Sequence, residues 1–266
     1  MEKHNFKQIL DVIDILTGPD GCSWDQQQTP KSLCDYLVEE SFELVEAIQS
    51  NDLTEISEEL GDVLFLVLFI GRYLDKVSPN FLQDVLTGNA QKMIRRHPHV
   101  FQKSQCNGEK VNINWEEIKK QEKIATKQDL GIFSSLPQNL PPLLKAYRIN
   151  SKAAKIGFTW TSNGDQEAKL QEEWTELQQA LFANFAESKE EEFGDYLFSL
   201  VEYGRRRGIK ANTALSFANT KFLQRFQAME DLAFHRGLDL SAMTLEEMDI
   251  LWSEVKKSAN KKEPVK

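Results

Sequence analysis

Cysteine is scarce. Cys22, Cys34 and Cys106 are the only three, they form no CxxC pair, and an odd number leaves one over. Neither a disulfide framework nor a cysteine-based zinc site is signalled, which points to a reducing cytoplasm. Long apolar runs are missing too. The longest, Val63 to Ile70, falls well short of the roughly 18 residues a membrane span requires. The N-terminal MEKHNFKQIL carries charge throughout, so the expectation is a soluble, cytoplasmic protein that is not exported. Positive charge is in deficit: 32 Lys and Arg stand against 41 Asp and Glu, a formal net charge of −9. That balance argues against nucleic acid or an anionic membrane as a partner, and any anionic ligand must be met by local cations. Alternating polar and apolar stretches long enough to argue for a sheet are absent as well.

What is present is helical spacing, as in Phe6, Ile9, Leu10, Ile13 and Leu16, and the fold class expected is all-α. Turn signals divide the chain at Gly18-Pro19-Asp20-Gly21, Ser50-Asn51-Asp52, Ser78-Pro79-Asn80, and Leu136 to Pro142, where three prolines read as an interdomain linker.

The chain also repeats itself. GCSWD at 21–25 recurs as GFTWT at 157–161, so Trp160 follows Trp24 by 136 positions (160 − 24). EESFE at 39–43 recurs as EEWTE at 172–176, and EELGD at 58–62 as EEFGD at 191–195, both at an offset of 133 (172 − 39 and 191 − 58). Lys92 and Arg96 match Lys221 and Arg225, and WEEIKK at 115–120 matches WSEVKK at 252–257. One acidic match between helical stretches can arise by chance; five blocks in one order imply duplication. The expected organisation is a first unit over 1–128, a linker over 129–139, a second unit over 140–258 and a disordered tail over 259–266.

Residues three or four apart share a helix face, so Glu39, Glu40 and Glu43 project together, as do Glu59 and Asp62. Between them lies a turn at Asn51, and Asp52 followed by Glu55 suits a helix N-cap with a reciprocal partner. The pairs Glu43/Glu59 and Glu40/Asp62 are both centred on residue 51, and the pairs Glu176/Glu192 and Glu173/Asp195 are both centred on residue 184. In an antiparallel hairpin such pairs meet at equal height. Clustered carboxylates raise one another's pKa values unless a cation is present. All-oxygen donors, without paired histidine or cysteine, select a hard ion such as Mg²⁺ or Mn²⁺. Val63 to Ile70, apolar on every side, predicts that the second hairpin helix is enclosed in a bundle. A di-iron centre is disfavoured because none of the four histidines completes a Glu-x-x-His motif. His97 and His99, separated by Pro98, read as a turn. Trp24 and Trp160 read as core plugs near helix starts.

The blocks EESFE with EELGD, and EEWTE with EEFGD, resemble the EExxE and ExxD signature of the MazG nucleotide pyrophosphohydrolases. GCSWDQQQTPKSL, RRHPHVF, GFTW and the two WxExKK segments extend the resemblance to two-domain MazG proteins over nearly the whole chain. It implies an all-α bundle completed by homodimerisation, Mg²⁺ dependence, and cleavage of nucleoside triphosphates between the α and β phosphates. Glu173, Glu176, Glu192 and Asp195 become metal ligands, with Glu40, Glu43, Glu59 and Asp62 as their first-unit counterparts. Glu172 and Glu191 become candidate general bases. Lys221, Arg225, Trp252 and Lys256 resemble substrate-contacting residues, and Lys169 and Lys189 flank the acidic motifs within reach of phosphate. Four carboxylates and one Mg²⁺ would still repel a triphosphate of about −4 charge, so more than one ion per site is expected, aided by Lys221 and Arg225. The rival reading is a non-catalytic acidic helical scaffold that binds a protein partner or nucleotide without hydrolysis.

Overall fold

A computed structural model describes residues 2–101, 131–183 and 186–260. Cys106, the 115–120 block, Asn184 and the KKEPVK tail lie outside the described residues. Among those described there is no strand, as the all-α expectation requires. The chain divides into two compact units, Met1–Glu122 and Lys123–Lys266. The first contains α1 (Glu2–Leu16), α2 (Ser23–Gln27), α3 (Leu33–Ser50), α4 (Leu53–Asp75), α5 (Phe81–Arg96) and α6 (Pro98–Phe101). The second contains α7 (Pro142–Lys155), α8 (Asn163–Ala183), α9 (Ala186–Arg206), α10 (Ala211–His235) and α11 (Leu245–Asn260), with a short 3₁₀ turn at Leu240–Ala242.

Each unit is organised around a helical pair, α3 with α4 and α8 with α9. In the first, Asn51 adopts a left-handed conformation (φ 58°) that ends α3 and reverses the chain. Asp52 then caps α4: its Oδ1 accepts from the backbone N–H of Thr54 at 2.8 Å and of Glu55 at 3.4 Å. The reciprocal arm of the cap differs from expectation. Asp52 N–H donates to Ser50 Oγ at 3.2 Å, and Ser50 Oγ donates to Glu55 Oε2 at 3.3 Å, so the Ser50 hydroxyl relays the bond that Glu55 would otherwise make directly. Asp52→Ala leaves two helix N–H groups without this acceptor and is expected to cost about 1 kcal/mol in urea unfolding. A midpoint identical to that of the native chain would show that the cap contributes nothing.

The first-unit core is built from Ile13 on α1, Leu33 on α3, Leu66, Leu68 and Phe69 on α4, and Leu82 on α5. Arg72 on α4 pairs with Asp14 on α1 and, at 3.0 Å, with Asp75, whose other oxygen accepts the Leu82 N–H at 2.9 Å. These polar clips fix α1 and the start of α5 against α4. The expected enclosure of Val63 to Ile70 is only half realised. Leu64 and Val67 remain 46% exposed, and with Leu60 they form a stripe at i, i+4 and i+7. The reason is geometric: α1, α3 and α5 supply partners for one side of α4, leaving the other side open.

In the second unit Met229, Ala233, Leu251 and Val255 join α10 to α11, while Leu177, Ala180 and Val201 are buried along α8 and α9. Residues 131–140, within the second unit, run beside α7. Lys152 Nζ donates to Ile132 O at 3.1 Å and Ser135 Oγ at 2.9 Å, and Lys145 Nζ to Gln138 O at 3.1 Å.

Candidate active site

Because α3 and α4 run antiparallel from the Asn51 turn, their acidic faces meet. Glu40, Glu43 and Glu59 each bring a carboxylate oxygen within 4.8 Å of the others. In the second unit Glu173, Glu192 and Asp195 do the same. Glu40 with Glu59 and Glu173 with Glu192 occupy corresponding positions of the repeat. The third member differs, Glu43 in one unit and Asp195 in the other. The remaining two predicted acids act on the clusters through their charge: Asp62 on Glu40 and Glu59, and Glu176 on Glu192.

The electrostatics are those of carboxylates short of counter-charge. The Glu40 carboxyl is pushed above its ordinary value by partial burial, then by Glu43, Asp62 and Glu39. Glu59 is raised by desolvation and by Glu43 and Glu40. Glu192 is raised by desolvation and then by Glu176, Asp195 and Glu191. The donor set tests well against Mg²⁺, whose octahedral oxygen ligands sit about 3 Å apart when adjacent and about 4 Å when opposite. Oxygens already gathered within 4.8 Å need to close by only a fraction of that distance.

Lys169 sets the second site apart. Its ammonium bonds Glu172 Oε1 at 2.8 Å and Glu173 Oε1 at 3.0 Å, and these bonds, that to Glu172 first, hold it strongly protonated. The first-unit counterpart is Tyr36, whose ring meets Trp24 edge-on at 5.7 Å. The predicted base Glu172 is thus engaged by a lysine, whereas Glu191 is exposed and has no ion pair among the described residues.

Lys189 is half-buried on α9, three positions before Glu192. Lys221 and Arg225 stand on α10, one turn apart, and neither forms an ion pair among the described residues. Trp252 on α11 packs on Phe222 at 5.3 Å and belongs to the α10–α11 core, with Lys256 exposed one turn further on. His97 Nδ1 lies 2.7 Å from Met93 O and the residue closes α5, in keeping with a turn.

The two tryptophans are the main correction. Neither is a core plug: Trp24 is 49% exposed and Trp160 40% exposed. Each lines a cavity beside its unit's carboxylates, Trp24 with Glu40 and Asp62, Trp160 with Lys169 and Glu173. The recurring GxxW block carried the signal, yet the glycine serves a different purpose in each copy. Gly157 has φ 88° and closes α7, with Gly157 N bonding Ala154 O and Phe158 N bonding Ala153 O, both at 3.0 Å. At Gly21 a Cβ would fall 2.2 Å from Leu16 O, so close backbone approach excludes any side chain. Arg206 then pins the second loop, donating to Trp160 O at 2.8 Å and to Asn163 Oδ1 at 3.1 Å.

An all-α chain with two carboxylate-lined hairpins has the ingredients of a metal-dependent phosphate hydrolase, and comparison with known proteins narrows this. The model of the MazG nucleotide pyrophosphohydrolase domain matches residues 28–101, covering α3 to α6. The chain is 36% identical over 254 residues to a nucleoside triphosphate pyrophosphohydrolase of Escherichia coli K12, spanning 94% of this chain and 96% of that protein. It is 38% identical over 252 residues to the nucleoside triphosphate pyrophosphohydrolase/pyrophosphatase MazG of Thermotoga maritima, spanning 94% and 95% respectively. A Bacillus subtilis protein, YabN, is 40% identical over 261 residues, which span 96% of this chain but 52% of that protein. The chain belongs to the MazG family of nucleotide pyrophosphohydrolases.

Proposed function

We propose that this nucleoside triphosphate pyrophosphohydrolase cleaves its substrate between the α and β phosphates at the second unit's cluster, releasing monophosphate and pyrophosphate. The observation that carries this reading is the gathering of Glu173, Glu192 and Asp195 within 4.8 Å of one another beside a lysine and an open cavity. Glu173, Glu176, Glu192 and Asp195 would hold Mg²⁺, more than one ion per substrate, and Glu40, Glu43, Glu59 and Asp62 correspond to them in the first unit. Bound there, divalent ions neutralise the polyphosphate and polarise its phosphorus–oxygen bonds.

The chain's own groups supply the remainder. Glu191 accepts the proton of the attacking water, the role for which Glu172 is less suited while it bonds Lys169. Lys169 and Lys189 approach the phosphates from the hairpin, and Lys221 and Arg225, at i and i+4 on α10, favour the leaving pyrophosphate. Trp252 and Lys256 contact substrate from α11. The first unit offers a tyrosine in place of Lys169 and a smaller cavity, which favours a structural role for it.

Two further parts of the reading concern assembly and location. The exposed stripes Val38, Phe42 and Val45 on α3 and Leu60, Leu64 and Val67 on α4 suit a second copy of the chain, making a homodimer. No described helix is long and apolar enough to cross a membrane, consistent with a cytoplasmic enzyme acting on free nucleotides.

Incubation with ATP and dTTP in Mg²⁺, followed by separation of products, tests the cleavage site. Monophosphate plus pyrophosphate is expected. Diphosphate plus orthophosphate would move the cut to the β–γ bond, and no product at all would favour a binding scaffold.

A further inference from the structure

Carboxylates on two helices meet only if the helices keep their relative height and rotation. A slip of one residue moves a side chain by about 1.5 Å along the axis and by about 100° around it. The gathering of Glu173 on α8 with Glu192 and Asp195 on α9 therefore demands a fixed register. The first unit meets this demand with apolar packing: Leu33 on α3 and Leu66 and Phe69 on α4 are buried in one cluster. At the offset of 133 the second unit replaces these three by Gln166, Ser199 and Glu202. The apolar lock is gone from the half of the hairpin that lies away from its turn.

A side-chain amide and two arginines stand in its place. Gln166 Nε2 donates to Ser199 O at 3.2 Å, from α8 to α9. Arg206, the last residue of α9, grips the start of α8. Its Nη1 donates to Trp160 O at 2.8 Å and to Thr159 Oγ1 at 3.2 Å, and its Nε to Asn163 Oδ1 at 3.1 Å. Those acceptors adjoin a capping box, in which Ser162 Oγ accepts from the Asp165 N–H and Asp165 Oδ2 from the Ser162 N–H, both at 3.1 Å. Arg207 pairs with Glu167 on α8. It is braced from behind by Tyr203, with its guanidinium 3.6 Å from the ring centre and a bond to Tyr203 O at 3.0 Å. Both arginines are half-buried. Isolated surface ion pairs contribute little, but a guanidinium with several fixed acceptors sets geometry. The first unit has Tyr73, Leu74 and Cys34 where the second has Arg206, Arg207 and Glu167, so this clamp belongs to the second unit.

We propose that Arg206 and Arg207 are positioning residues for the second unit's site: they clamp the open end of the α8–α9 hairpin and so hold Lys169 and Glu173 level with Glu192 and Asp195. They act at a distance. Glu173 lies ten residues beyond Asn163 on α8 and Asp195 eleven before Arg206 on α9, about 15 Å of stiff helix in each case. The proposal rests on the reading that divalent ions bind at this cluster, and it confines the effect of the clamp to the second unit's ions.

The test is titration of the full chain, without nucleotide, with Mn²⁺, a hard ion that takes the same oxygen ligands and whose free form is counted by its paramagnetic resonance signal. The uptake that Glu192→Gln abolishes is that of the second unit. Arg206→Ala should weaken this uptake about tenfold and leave any other unchanged. Arg206→Lys, which keeps the charge but reaches fewer acceptors, should fall between Arg206→Ala and the native chain. Arg207→Ala and Glu167→Ala should each weaken it about threefold, and the double change no more than either alone. Pyrophosphate release should show the same loss as a raised Mg²⁺ requirement, with kcat largely recovered at saturating Mg²⁺. Arg236→Ala, which breaks an ion pair with Glu254 between α10 and α11, is the control and should leave Mn²⁺ affinity unmoved. A lowered melting temperature with unchanged Mn²⁺ affinity in Arg206→Ala and Arg207→Ala would make the arginines purely structural and overturn the proposal, as would an equal loss of affinity in Arg236→Ala. Mn²⁺ uptake that survives Glu192→Gln intact would instead sink the reading of the cluster as the ion site, and the proposal with it.

Discussion

Glu192→Gln should lower pyrophosphate release by about a thousandfold, the several kcal/mol that a metal-assisted phosphoryl site supplies, without loosening the fold. The side chain keeps its volume and loses its charge. In the metal-free protein that charge is a liability, since desolvation and the neighbours Glu176 and Asp195 disfavour its ionised form. The variant's melting temperature without metal should therefore equal or exceed that of the native chain, while turnover collapses. Activity and stability moving in opposite directions is what separates a functional carboxylate from a structural one. Retention of full turnover would place the chemistry outside the second unit's cluster.

Removing divalent ions with a chelator should abolish turnover, and Mg²⁺ should restore it and raise the melting temperature. The sign of the pH dependence follows from the carboxyls. Glu40, Glu59 and Glu192 all titrate above the ordinary glutamate value in the folded chain. The folded state therefore binds protons that the unfolded state has released, and the metal-free protein loses stability as pH rises through these elevated pKa values. As pH falls through the same window toward the unfolded value, the repulsion is relieved. Mg²⁺ competes with those protons, so its stabilising effect should be greatest at neutral pH and fade on acidification. A Mg²⁺-induced shift in melting temperature that is constant from pH 4 to pH 8, on the order of the range over which glutamates titrate, would mean that the ions bind elsewhere.

The carboxylate clusters were legible because their causes are local and periodic. Glu43 and Glu59, like Glu40 and Asp62, are symmetric about Asn51, and an antiparallel hairpin has no choice but to set each pair level. The same arithmetic reached Glu173 and Asp195, centred on residue 184, although Asn184 itself is outside the described residues. The Asp52 cap was legible for the same reason, but the Ser50 relay was not, since it depends on whether the Ser50 hydroxyl or the Glu55 carboxylate reaches the Asp52 N–H. Apolar content misled along α4: Leu64 and Val67 are as apolar as Leu66 and Phe69, and only the placement of α1, α3 and α5 decides which of them is covered. Trp160 misled in the other direction, because a large aromatic beside a helix start gives no hint of whether its ring plugs a core or borders a cavity.

Sequence alone determined the internal repeat, the helical hairpins and the facing carboxylates, since each follows from spacing along a single element or its repeat. Tertiary structure decided what those repeats became. Tyr36, Leu66 and Phe69 line the smaller cavity of the first unit, where the larger one of the second has Lys169, Ser199 and Glu202. Such outcomes depend on which side chain from another helix arrives to fill a volume or meet a charge, and that is a property of packing.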